Sequence, residues 1–262
     1  MIKAVVFDLQ KIKLSETCSF LQKAKLAGLK LAYVAKAAPF KERPNPELYQ
    51  RAFLDLGVGC DETVIISDSL IAQRTARNAK CVSVGIKACR EDNLIQKGAD
   101  LVLDNLEVFP DFSTVEEFDA VLKKEVKAFY DRTIIGKLMQ TAIKVREKAY
   151  APYSNFKVGA GLLTETGKIY AGCNVENASL GATICAERGA SMAALAAEGK
   201  KQFQMIAIAS SAEDPAPPCA ICRQFLSEFM PPDGQVFMLS VTSGIIKHYS
   251  FETLLPFTFT EF

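Results

Sequence analysis

Cys185-Ala186-Glu187-Arg188 and Pro217-Pro218-Cys219-Ala220-Ile221-Cys222-Arg223-Gln224 are the two stretches that decide how this chain is read. The first opens an alanine-rich segment, Gly189 to Glu198, that ends at Gly199, and the second opens another helical segment. Three thiols therefore sit at two predicted helix N-termini. The positive end of a helix dipole lowers a thiol's pKa and favours the thiolate, the form that binds metal. Zinc takes thiolates readily, in tetrahedral sites with bonds of about 2.3 Å.

Three protein ligands leave a fourth position for water, as in catalytic rather than structural zinc sites. Such a metal lowers the pKa of bound water towards ~7. Three thiolates oppose that effect through their negative charge, and Arg188 is the natural partner to offset them. Glu187 stands where a carboxylate can take the water's proton and pass it on. A third motif, Asn174-Val175-Glu176-Asn177, follows a strand. The competing arrangement is a closed structural site with Cys173 as the fourth ligand. Glu187 and the Asn/Glu cluster are superfluous in a closed site and favour catalysis.

Around these motifs strands and helices alternate. Strands are expected near 156–163, 168–173, 204–210 and 235–241, with helices at about 185–198 and from 219. Before them, Ile134, Ile135, Leu138, Met139, Ala142 and Ile143 recur at helical spacing. The first half alternates too: strand 2–8, helix 19–28, an apolar run 29–34, a helix to about Leu56, strand 63–66, a helix to Ala79, and strands 81–85 and 101–103. That order predicts a parallel sheet. The expected organisation is an N-terminal α/β domain at 1–112, a linker and helix at 113–126, and a second α/β domain at 127–262.

From about Lys127 to Phe262 the sequence resembles the cytidine deaminases. The matching run is Ala151-Pro152-Tyr153-Ser154, Phe156-x-Val158-Gly159-Ala160, Gly172-Cys173-Asn174-Val175-Glu176-Asn177, Cys185-Ala186-Glu187-Arg188 and Pro218-Cys219-x-x-Cys222-Arg223-Gln224. The resemblance implies a three-layer α/β/α domain with a mixed sheet and one Zn2+ held by Cys185, Cys219 and Cys222. It implies hydrolytic deamination of cytidine and deoxycytidine, a pyrimidine salvage reaction, with Glu187 as acid and base. Asn174 and Glu176 match the pair that holds a ribose hydroxyl, and Phe156 matches a wall of the pyrimidine pocket. Cys185, where some deaminases carry histidine, points to the short homotetrameric class. Thr253-Leu254-Leu255-Pro256-Phe257-Thr258-Phe259 resembles the family's C-terminal segment, which implies that Phe259 stacks on the pyrimidine of a neighbouring subunit, with Phe257 the competing choice.

The first half resembles the haloacid dehalogenase-like phosphatases, nearest the β-phosphoglucomutase type, through Val5-Val6-Phe7-Asp8-Leu9, Arg43-Pro44-Asn45-Pro46-Glu47-Leu48-Tyr49 and Val64-Ile65-Ile66-Ser67-Asp68-Ser69. Its fold is expected to be Rossmann-like. Asp8 stands at the nucleophile position, but Gln10, Ala35-Lys36, Arg43 and Ser67 replace residues the chemistry needs. Only about ten residues stand where the family's helical cap usually lies, a length suited to a plain connection. No functional Mg2+ and no phosphatase activity are expected.

The net charge of +1 over 262 residues shows no footprint for nucleic acid. Nothing at the start reads as an export signal, and no stretch reaches membrane length without a charge. A cytoplasmic protein with reduced cysteines, acting on a small nucleoside without nucleic-acid or membrane partners, is the expectation. Cys18, Cys60, Cys81 and Cys89 read as small packing residues, and the single histidine, His248, as a surface or packing residue. Two other functions remain: a zinc-stabilised interaction module without catalysis, and a deaminase of another base-bearing substrate.

Overall fold

The computed structural model describes residues 1–9, 18–34, 47–87, 95 and 98–259. They form two compact units, Met1–Tyr130 and Asp131–Phe262.

The first unit contains β1 (Ala4–Asp8), α1 (Ser19–Leu26), β2 (Lys30–Tyr33), α2 (Glu47–Leu56), β3 (Thr63–Ser67), α3 (Leu70–Asn78), β4 (Val82–Ile86), β5 (Leu101–Leu103) and α4 (Val115–Arg132). The sheet is parallel throughout, in the order β2-β1-β3-β4-β5. β1 and β3 are buried along their whole length. Helices on both faces of a parallel sheet leave no solvent side, so these strands read as unbroken apolar runs rather than alternating ones.

Residues 113–126, expected as a linker and helix, lie partly in α4, and α4 is built into the first unit almost to its end. Phe118, Leu122, Phe129 and Tyr130 are buried. Phe118 packs into an aromatic cluster with Phe20, Phe109 and Phe112, with ring centroids 4.9–6.1 Å apart. Asp119 accepts a hydrogen bond from the Ile2 backbone N–H at 2.9 Å, and Tyr130 donates to Asp100 at 2.5 Å. Asp100 is also paired with buried Arg77.

The second unit contains α5 (Ile134–Arg146), β6 (Val158–Thr164), β7 (Ile169–Cys173), α6 (Ala186–Glu198), β8 (Phe203–Ser210), α7 (Ala220–Ser227), β9 (Gln235–Ser240), β10 (Ile246–Ser250) and α8 (Phe251–Leu254). The sheet is mixed, in the order β10-β9-β8-β6-β7, with β8 and β9 parallel and the other pairs antiparallel. β6 shows how three layers are made. Ala160 and Leu162 pack in one cluster with Ala186, Ala190 and Leu226, on the face of α6 and α7. Gly159 and Gly161 alternate to the other face, where an added Cβ would lie 2.1 Å from the Ala142 carbonyl and 2.6 Å from that of Leu138, both in α5. Gly172 gives α6 the same close approach: its Cβ would lie 2.1 Å from Ala190 N.

β10 has no counterpart in the sequence expectations. It is an edge strand whose Lys247-His248-Tyr249 run lacks a continuous apolar signature. His248 is buried there, stacked on Phe237 with centroids 3.9 Å apart and hydrogen-bonded to Gln235 at 2.6 Å. Cys18 and Cys81 are buried and Cys60 half-buried, while Cys89 lies outside the described residues.

Candidate metal centre and active site

Cys185 is the N-cap of α6, Cys219 is the N-cap of α7, and Cys222 lies in the first turn of α7. The two helices lie on the same face of the sheet, so both N-terminal ends, with their partial positive charge, meet there. The three sulfurs lie within 4.8 Å of one another, and Cys185 Sγ is 3.9 Å from Cys219 Sγ. A tetrahedral ion with bonds of about 2.3 Å has S···S edges of about 3.8 Å. The donor set and its spacing therefore fit zinc. Cys173, the candidate fourth ligand of a closed site, is not part of this cluster.

Arg188 lies in the first turn of α6. Its Nη2 donates to the Thr183 carbonyl at 2.8 Å and approaches Cys185 Sγ at 3.8 Å. The thiols share protons unequally. Cys185 is lowered to about 5, first by a hydrogen bond from Cys222 and then by Arg188 and Cys219. Cys222 is correspondingly held up as the donor to Cys185, with burial adding to the effect.

Glu187 follows Cys185 by two residues and is only 5% exposed. Burial pushes its carboxyl up to about 7, and the neighbouring Cys185 charge adds to that. A buried carboxyl poised near neutrality beside three metal-competent sulfurs can both accept and donate a proton under ordinary conditions.

Asn174 is buried immediately after β7. Its Oδ1 accepts from Val158 N–H and its Nδ2 donates to the Phe156 carbonyl, both at 2.8 Å. Glu176 accepts from the backbone N–H groups of Tyr153 (2.9 Å) and Ser154 (3.2 Å), and from the Ser154 hydroxyl. The Ser154 hydroxyl, chief among these, holds the Glu176 carboxyl below its usual range. Both motif residues thus fasten the 153–158 segment, which carries the exposed Phe156. One Asn174 N–H and lone pairs on both Glu176 oxygens are left for a ligand.

Phe259 is exposed, and its carbonyl accepts from Gln224 Nε2 at 2.7 Å. The sequence showed Gln224 only as part of a motif. Nothing in its spacing signals a contact with a segment 35 residues away.

A family model described as the cytidine and deoxycytidylate deaminase zinc-binding region matches residues 133–238. A cytidine deaminase of Halalkalibacterium halodurans is 43% identical over 123 residues, which is 47% of this chain and 92% of that protein. One from Sporosarcina psychrophila is 40% identical over 127 residues, 48% of this chain and 92% of that protein. The crystal structure of cytidine deaminase from Burkholderia pseudomallei is 44% identical, covering 48% of this chain and 100% of its own, at a TM-score of 0.46.

In the first unit, Asp8 and Ser67 end the adjacent strands β1 and β3. The Ser67 hydroxyl donates to the Asp8 carbonyl at 2.6 Å, and the Tyr49 hydroxyl donates to Asp8 Oδ2 at 2.8 Å. Tyr49 is fully buried, which raises its pKa, with the Asp8 charge adding to the effect. Gln10, Ala35, Lys36 and Arg43 lie outside the described residues. Among the described residues no helix is long and apolar enough to cross a membrane.

Proposed function

We propose a function from one established fact, that the chain belongs to the cytidine deaminase family through its second unit. That unit is a zinc-dependent hydrolase that converts cytidine and deoxycytidine, with water, to uridine and deoxyuridine plus ammonia. The observation that carries this reading is the convergence of Cys185, Cys219 and Cys222 on one point, with buried Glu187 beside them.

Cys185, Cys219 and Cys222 would hold one Zn2+ per deaminase domain. Zinc in such a site supplies a Lewis acid that makes water a nucleophile near neutrality. Arg188 offsets the thiolate charge through its contact with Cys185. Glu187 takes a proton from the attacking water, delivers it to N3 of the pyrimidine, and passes a later proton to the departing ammonia. Asn174 and Glu176 bind the ribose hydroxyl through their remaining hydrogen-bonding capacity, Phe156 walls the base, and Phe259 stacks on it from a neighbouring subunit. This last role requires the homotetramer that the family resemblance implies. Leu180, Ile221, Phe257 and Phe259 are all exposed on this unit, in keeping with coverage by further copies.

The first unit reads as a haloacid dehalogenase-like domain without phosphatase chemistry. Its support is that Asp8, 3% exposed, is already engaged by Tyr49. Metal content and ammonia release from cytidine, deoxycytidine and dCMP, measured on one preparation, test the assignment. One zinc per chain and turnover of both nucleosides is the expected result. Stoichiometric zinc with no ammonia from any of them selects the non-catalytic module instead.

A further inference from the structure

The C-terminal segment is held to α7 at two points. Arg223 Nη1 donates to the Leu254 carbonyl at 3.0 Å, and Gln224 Nε2 donates to the Phe259 carbonyl at 2.7 Å. The Arg223 Nε also donates to the Pro218 carbonyl at 2.7 Å, and Arg223 N–H to that of Cys219 at 2.9 Å. The anchors of the segment thus belong to the same helical turn as two of the candidate metal ligands. Phenylalanines are normally held by burial of their rings. Here Phe257 and Phe259 are 91% and 62% exposed, and within one subunit polar side chains of α7 hold the segment at both ends.

We propose that Gln224 is a positioning residue for the neighbouring subunit's substrate pocket: by gripping the Phe259 carbonyl it fixes which ring the segment presents to that subunit's pyrimidine. Arg223 holds the near end, and the five residues from Leu255 to Phe259 can span up to about 16–18 Å, so the Arg223 contact alone does not fix the far end. Phe257 lies between the two anchors, neither of which acts on its own backbone. The grip selects Phe259 as the stacking ring. This inference rests on the deaminase reading above.

A double-mutant cycle tests it, with KM, kcat and zinc content for cytidine as readouts. Gln224→Met keeps the length of the side chain and removes the donor. Loss of one aromatic stacking contact corresponds to a roughly 2- to 12-fold change. Gln224→Met should raise KM within that range, with kcat within twofold of wild type and zinc unchanged. Phe259→Ala should do the same, and the double variant should be no worse than Phe259→Ala alone, since Gln224 acts through that ring. Gln224→Lys, which restores a donor, should recover much of the KM. Phe257→Ala should add independently to Gln224→Met. An unchanged KM in Gln224→Met, or effects of Gln224→Met and Phe259→Ala that add in full, overturns the positioning role. Should Gln224→Met not fold, a KM for Gln224→Lys as high as that of Phe259→Ala does so equally. A wild-type protein that releases no ammonia refutes the deaminase reading itself, which is a separate result.

Discussion

Gly172→Ala is expected to damage catalysis more than stability, and the structure gives the size of the effect. Its Cβ would lie 2.1 Å from Ala190 N and 2.4 Å from the Ala186 carbonyl, against an ordinary contact of at least 3.4 Å. The sheet and α6 must therefore separate by about 1.3 Å, the difference between 3.4 and 2.1. Overpacking of this kind costs about 1–3 kcal/mol. Ala186 stands between Cys185 and Glu187, so the shift falls on the residues that would hold metal and move protons. A misplacement of about 1 Å at a reacting centre costs ~10²-fold. Gly161→Ala is the matched control. Its Cβ meets the Leu138 carbonyl at 2.6 Å, but on the opposite face, against α5, which carries none of the site residues. Urea unfolding should show losses of the same order in both variants. Steady-state ammonia release should fall by about two orders of magnitude in Gly172→Ala and only a few-fold in Gly161→Ala. Wild-type kcat in Gly172→Ala would refute the claim that the α6 approach sets the site.

Cys219→Ala should release zinc and lower the unfolding midpoint, because metal binding is coupled to folding, whereas Cys173→Ala should keep stoichiometric zinc; metal analysis of both decides. Burial pushes the Glu198 carboxyl up, but hydrogen bonds from Thr166, Lys168 and Thr164 outweigh it and hold it at about 2, below its ordinary 4.5. A depressed carboxylate stabilises the fold above its unfolded pKa and loses that contribution as pH falls towards the folded one. Glu198→Gln should therefore lower the urea midpoint at neutral pH, and its gap to wild type should narrow as pH drops below about 4.5. For the first unit, magnesium-supplemented protein should release no phosphate from small phosphate esters; a release that vanishes in Asp8→Asn would restore a working phosphatase.

How much of this was legible in the sequence depended on whether the signal was local. The buried strands β1 and β3 announce themselves as β-branched runs because both of their faces are covered. Cys185, Glu187, Cys219 and Cys222 are readable because helix geometry converts short spacings into shared positions at an N-terminus. The structure brings those three sulfurs together, and leaves Cys173 apart, as only tertiary contacts can decide. β10 was illegible because an edge strand with one solvated side need carry no apolar run. The place of α4 was hidden for another reason: its amphipathic pattern says that one face is buried but not against which unit, and the contacts of Phe118, Asp119 and Tyr130 supply the answer. The hydrogen bonds of Asn174, Glu176 and Gln224 join residues 16 to 35 apart, and no periodicity encodes them.

The most direct test of the account is Glu187→Gln, assayed for zinc content and ammonia release beside wild type. Glutamine keeps the shape of the side chain and cannot move a proton, and loss of a general acid and base costs typically ~10²–10⁴-fold. The account predicts full zinc occupancy with turnover reduced at least a hundredfold, about the lower end of that range. Zinc retained together with turnover within about tenfold of wild type, well short of it, would contradict it.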